Sequence, residues 1–162
     1  MARVYVSVGT NIDRERNVRA ALDALEAHYG SVQCSTIYET AAVGFDGDDF
    51  YNFVVGFDTG ESPAEVAAQL RAIEDAMGRV RTGPRFSSRT LDLDLLLYDD
   101  LVLEEGRLQI PRDEIVHQAF VLAPLAEIAG ERRHPLLGAS FAQLWADFPK
   151  ADLTLRPVRL PR

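Results

Sequence analysis

Two strand-like stretches follow one another with no helix between them, and this succession restricts the fold more than any other feature of the chain. Residues 32–39 and 50–58 both read as strands, joined by a loop rich in Gly and Asp. Parallel neighbours need a long crossover, usually a helix, so a doubly wound parallel sheet is disfavoured. Before them, Val4 to Val8 alternates as a short strand and Gly9-Thr10-Asn11 breaks it. Asp13 then stands where a cap would open a helix over about Arg14 to His28, with Val18, Ala21, Leu22 and Leu25 as its apolar stripe. The second helix has the clearest start signal. Ser62 caps, Pro63 takes the first turn, Glu65 completes a capping box, and Val66, Leu70, Ile73 and Met77 recur at helical spacing until Gly78. A loop from Gly78 to Ser88 feeds a strand over Leu91 to Tyr98. Two further helices are predicted at Gln118 to Ala129, interrupted or started by Pro124, and at Ser140 to Phe148. The order strand, helix, strand, strand, helix, strand predicts an α+β fold: a ferredoxin-like split βαβ sandwich whose mainly antiparallel central sheet is flanked by helices. A single domain over 1–149 is expected, with 150–162 as a tail that forms a strand or frays.

The next constraint is chemical. In Arg89-Thr90-Leu91-Asp92-Leu93-Asp94, strand alternation puts Asp92 and Asp94 on one face and Leu91, Leu93 and Leu95 on the other, toward a core. Arg79, Arg81, Arg85 and Arg89 arrive just before the pair, with no acid between Ala76 and Leu91. Carboxylates supply the hard oxygens that Mg2+ takes, and guanidinium forks match phosphate oxygens, so this segment suits a Mg2+-nucleotide site. The same triplet on a solvated edge strand would be plain polar surface, and only its neighbours decide between the two. Neither a Walker glycine loop nor G-x-G-x-x-G spacing is present, which leaves the arginines to hold phosphate.

Charge narrows the partners. With 25 acidic against 17 basic side chains in 162 residues, the net charge of −8 disfavours a general nucleic-acid or anionic-membrane surface. Lys150 is the one lysine, so the abundance of Arg is uninformative and only the position of each Arg is weighed. No apolar run is long enough for a signal peptide or a bilayer span, and a cytoplasmic protein is expected. Cys34, the single cysteine, permits no internal disulfide and is expected to pack; no Cys/His cluster is present to hold zinc.

Taken together, Gly78-Arg79-Val80-Arg81, Arg89-Thr90-Leu91-Asp92-Leu93-Asp94 and Ala119-Phe120-Val121-Leu122-Ala123-Pro124-Leu125 resemble the 6-hydroxymethyl-7,8-dihydropterin pyrophosphokinases of folate biosynthesis. Val8-Gly9-Thr10-Asn11, Tyr38-Glu39-Thr40 with Gly44, and Asn52 fall in that family's order and spacing, so the resemblance spans about residues 4–148. It implies transfer of the β,γ-pyrophosphoryl group of ATP to the hydroxymethyl oxygen of a reduced pterin, with release of AMP. Asp92 and Asp94 would hold two Mg2+ ions. Arg79 and Arg89 would act as catalytic cations on the phosphates, with Arg81, Arg107 and Arg112 adding to ATP binding. Asn52 would read the amide edge of the pterin, Phe50 and Phe120 would sandwich the ring, and Thr40 and Val43 would belong to the loop around it. A monomer is expected.

Several positions depart from the family's pattern. Phe86-Ser87-Ser88 stands where a Trp-Gly-Pro is usual, Arg112 follows Ile110-Pro111 in place of a His, and Gln109 replaces a Thr. Ala41 and Ala42 replace prolines, and Gln118 replaces an Arg, with His117 beside it. Glu74 matches a family position, although a helix-surface pairing with Arg71 or Arg79 would explain it equally well. These departures keep open a rival reading as a non-catalytic pterin- or nucleotide-binding partner module. Against it stands the retention of Asp92 and Asp94, two like charges side by side that have a physical cost without a cation.

Overall fold

β1 (Ala2–Thr10) is the strand about which the rest is arranged. The structure is a computed structural model that describes residues 1–41, 48–78, 91–150 and 153–160. After β1 come α1 (Arg14–Tyr29), β2 (Gln33–Cys34), β3 (Ile37–Thr40), β4 (Phe50–Thr59), α2 (Pro63–Ala76) and β5 (Asp92–Tyr98). A hairpin of β6 (Leu103–Glu105) and β7 (Leu108–Ile110), a 3-10 turn (Asp113–Val116), α3 (Ala119–Ala129), α4 (Phe141–Asp147) and β8 (Arg156–Val158) complete it. Among the described residues the main sheet runs β5-β1-β4-β3-β8, with β2 also on β4, and every pairing in it is antiparallel. β1 and β3 are separated by β4, and β4 and β5 by β1, which is the split βαβ order expected from the sequence.

Two cores lie on the two faces of this sheet. On one, Val4, Val6, Val8, Phe53, Val55, Phe57, Leu91, Leu93 and Leu95 pack against the apolar stripes of α1 and α2. On the other, Tyr5, Val54, Leu96 and Leu97 pack against α3 and Phe141 of α4. The even residues of β1 therefore face α1 and α2, and the odd ones face α3. A register shift at Tyr5/Val6 pairs Val6 with Leu95 and Tyr5 with Leu97, so one extra residue, Leu96, enters β5 and turns both Leu96 and Leu97 toward α3.

Local chemistry explains where expectation and structure part. The Ser62 hydroxyl accepts from Glu65 N–H and the Glu65 carboxylate accepts from Ser62 N–H, the reciprocal box read from the sequence. Asp13, by contrast, lies in the left-handed region at φ 44° and makes no side-chain cap bond, so the expected cap on α1 is absent. The strand expected over 32–39 is broken at Ser35. There the hydroxyl, not the backbone carbonyl, accepts from Val54 N–H at 2.9 Å, while Glu127 takes the Thr36 N–H and hydroxyl. Cys34 is exposed rather than packed. Pro124 lies inside α3 and neither starts nor ends it. The β6–β7 hairpin, unforeseen, turns on Gly106, whose φ of 61° suits a two-residue loop.

Residues 156–158 of the tail form a strand on β3, and Arg156 pairs there with Glu39 and, at 3.8 Å, with Asp49. Among the described residues no helix is long and apolar enough to cross a membrane. Replacing Ser62 by Ala removes one half of the capping box and is expected to cost about 1 kcal/mol. Thermal unfolding should show Tm falling by about 2–4 °C.

Candidate active site

Antiparallel partners share a face of a sheet, and the register therefore assembles the site. Gly9 of β1 pairs with Asp92 of β5 on one side and with Asn52 of β4 on the other, and Asn52 pairs with Tyr38 of β3. One row across the sheet thus reads Asp92, Gly9, Asn52, Tyr38, all on the α3 face. The next carries Asp94 opposite Ser7, and on the other flank Phe50 pairs with Thr40. Asp92 and Asn52 stand two strand spacings apart, roughly 10 Å, with a residue that has no side chain between them.

Asn52 is buried, and its Nδ2 donates to Thr40 Oγ1 at 2.6 Å, which supplies the partner a buried amide requires. Phe120, at the start of α3, packs at the margin of the α3-side core, partly exposed like Phe50. These placements bring four of the expected pterin residues, Thr40, Phe50, Asn52 and Phe120, to one side of the molecule. Val43 lies outside the described residues.

Among the described residues β5 is an edge strand, and side chains and backbone line its outer side. Glu74 of α2 is only 4% exposed, and its Oε2 accepts from Leu93 N–H at 2.8 Å. Glu74 is therefore buried rather than on a helix surface, and its carboxylate braces the strand between the two aspartates. Beyond the edge lies a cleft of about 770 Å³ bounded by α2, β5 and the β6–β7 hairpin, with Asp92, Asp94, Arg107, Gln109 and Arg112 in its lining. Arg107 is presented at the hairpin tip, next to Gly106.

Arg112 takes a place the sequence did not reveal. Its Nη2 reaches Asp94 Oδ1 at 3.5 Å and Glu114 Oε1 at 3.0 Å, and its Nε donates to the same Glu114 oxygen at 3.2 Å. Its backbone N–H also donates to Leu96 carbonyl, tying the segment after the hairpin to β5. The acidic run after Arg112 was the signal for Glu114, but nothing in it said that the acid would hold the arginine. Burial works against the Arg112 cation, yet Asp94 and Glu114 outweigh it and raise its pKa. Arg79, Arg81 and Arg89 lie outside the described residues, as do Phe86, Ser87 and Ser88.

Burial, reinforced by Asp92, Glu114 and Glu74 and opposed by Arg112, pushes the Asp94 carboxyl up to about 7. A cation between the two carboxylates would relieve that repulsion. Among the described residues no group of three His, Cys, Asp or Glu side chains is placed to hold a metal. Two carboxylates suffice, however, for Mg2+, which keeps water and takes its remaining ligands from substrate phosphates. The donor set fits that ion.

The raised pKa has a definite sign. Between about pH 4 and pH 7 the folded, metal-free protein holds a proton on Asp94 that the unfolded chain has lost, so this group's contribution to stability falls as pH rises through 7. With a chelator present, Asp94→Asn is expected to melt higher than the parent protein at pH 8 and to lose that advantage at pH 4. Thermal denaturation at the two pH values measures it.

A family model described as 7,8-dihydro-6-hydroxymethylpterin-pyrophosphokinase (HPPK) matches residues 5–130. Among curated relatives, a 2-amino-4-hydroxy-6-hydroxymethyldihydropteridine pyrophosphokinase of Pseudomonas aeruginosa is 40% identical over 137 residues, covering 82% of this chain and 84% of the relative. A relative of the same name from Aquifex aeolicus is 31% identical over 159 residues, covering 97% and 96%. Among solved structures, Plasmodium falciparum HPPK-DHPS with pteroate shares the fold at a TM-score of 0.76 and 14% identity over 91% of this chain. This chain spans 42% of that longer one.

Proposed function

The chain belongs to the 7,8-dihydro-6-hydroxymethylpterin-pyrophosphokinase family, and we infer that its reaction is carried by the row on the α3 face and the cleft beside it. It is an enzyme that transfers pyrophosphate from ATP to the hydroxymethyl group of 6-hydroxymethyl-7,8-dihydropterin in folate biosynthesis, with AMP as the other product. The hydroxymethyl oxygen attacks the β-phosphorus, the bond between that phosphorus and the oxygen of the α-phosphate breaks, and the hydroxyl proton is released.

The observation that carries this assignment of residues is the placement of Asp92, Asp94 and Asn52 on one face, separated by Gly9. Asn52, held by Thr40, turns its Oδ1 to the amide edge of the ring, while Phe50 and Phe120 supply area on its faces. The triphosphate lies in the cleft outside β5, where Arg107 and Arg112 meet it from the hairpin side. Arg79, Arg81 and Arg89 act from the segment before β5. Asp92 and Asp94 hold Mg2+, two ions in this reading. Bound by these two carboxylates, Mg2+ would supply neutralisation of phosphate charge and a lowered pKa for the acceptor hydroxyl, so that no side-chain base would be needed. The remaining task of the protein is alignment of acceptor oxygen and phosphorus. A monomer working in the cytoplasm belongs to the same reading.

Incubation with ATP, Mg2+ and hydroxymethyl-dihydropterin should give AMP only when the pterin is present. A folded protein that binds the pterin but makes no AMP would instead favour the partner-module reading. Asp94→Asn should lower kcat by about 10³-fold, the equivalent of several kcal/mol of charge stabilisation, and near-parental turnover would overturn the metal assignment.

A further inference from the structure

Gly9 follows an alternating run of Val, Tyr and Ser in β1, where a glycine weakens the sheet unless something must approach the backbone. Its φ is not in the left-handed region, so backbone conformation does not demand it. Space does. A Cβ on Gly9 would lie 2.8 Å from Asn52 Oδ1 and 3.9 Å from Phe50 Cδ1. The intruding atom would meet the acceptor oxygen of an amide whose other end is fixed by Thr40, so the carboxamide has no free direction in which to yield.

Gly9 also has the carboxylate side as its neighbour. It is the partner of Asp92 as well as of Asn52, so any side chain there would stand on the line between the amide and the acidic pair. A pterin whose amide edge is at Asn52 must carry its hydroxymethyl carbon over β1 to reach Asp92. We propose that Gly9 is a positioning residue: its bare Cα keeps open the track across β1 along which the hydroxymethyl arm passes from Asn52 to the carboxylate pair. The strand-weakening glycine is then the cost of a substituent crossing that strand. This inference rests on the reading of Asn52 as the pterin-binding amide.

Gly56 provides a matched control. A Cβ there would lie 2.8 Å from Tyr5 Cε1, an intrusion of the same depth in the same strand pair, against a side chain away from the row. In calorimetric titrations, Gly9→Ala should weaken binding of 6-hydroxymethylpterin at least tenfold, leaving the Kd of Mg2+ with α,β-methylene-ATP within twofold. Gly56→Ala should leave both within twofold. Equal loss of pterin affinity in the two variants would reduce the effect to general packing and overturn the inference, as would unchanged binding in Gly9→Ala. If Gly9→Ala does not fold, Asn52→Ala and Asn52→Ala/Gly9→Ala make the comparison, because truncating Asn52 removes the oxygen the new methyl would meet. In that pair the added methyl should weaken 6-hydroxymethylpterin at least threefold more than pterin lacking the arm; equal effects on the two ligands would overturn the inference. Failure of the parent protein to bind 6-hydroxymethylpterin would overturn the assignment of Asn52 together with that of Gly9, whereas parental binding that Gly9→Ala leaves intact removes Gly9 alone.

Discussion

The antiparallel ladder that seats β1 between β5 and β4 is the interaction on which the rest depends. Partners in a ladder share a face, so pairing Gly9 with both Asp92 and Asn52 fixes the carboxylates and the amide two strand spacings apart without help from any loop. A slip of one residue between β1 and β4 would send Asn52 into the core under α1 and bring Phe53 out toward α3. The hydrophobic pattern forbids that slip, because Phe53, Val55 and Phe57 all need the α1 side. Core packing therefore sets the site geometry.

What could be read in the sequence was whatever a short period or a fixed spacing encodes. Leu91, Leu93 and Leu95 against Asp92 and Asp94 declared a two-faced strand, and Ser62 with Glu65 declared a helix start; the structure carries both. Asn52 was legible as a polar residue in an apolar strand, although its partner Thr40 was not, since that bond joins β3 to β4 after a loop. Harder to see were substitutions of one hydrogen-bond partner for another. The Ser35 hydroxyl replaces a backbone carbonyl and splits a strand that propensity alone runs on. Glu74, an acid set on the apolar stripe of α2 four residues after Leu70, bonds an edge-strand N–H nineteen residues away. Leu95-Leu96-Leu97 hides its bulge because three leucines satisfy either face.

Electrostatics add a second layer. An acidic chain gathers Asp92, Asp94, Glu74 and Glu114 around one stretch of β5, with Arg112 held among them by two of the four. Such a cluster is poor for the stability of the empty protein and favourable for one that meets a divalent cation and a polyphosphate. Arg112 is therefore already inside the field of the carboxylates before any nucleotide arrives. An arginine there stays charged at every physiological pH, unlike the His usual at that place in the resemblance.

The two margins of the sheet are closed by different means. β5 is covered by Glu74 and by the backbone of Arg112, whereas β3 is covered by β8, three residues with Pro157 at their centre. A strand this short, with one donor removed by proline and Arg156 beside it, offers little to a further strand. Without it, β3 would present open N–H and C=O groups next to the exposed thiol of Cys34. The short β8 thus shields an edge that would otherwise be open to pairing with another chain.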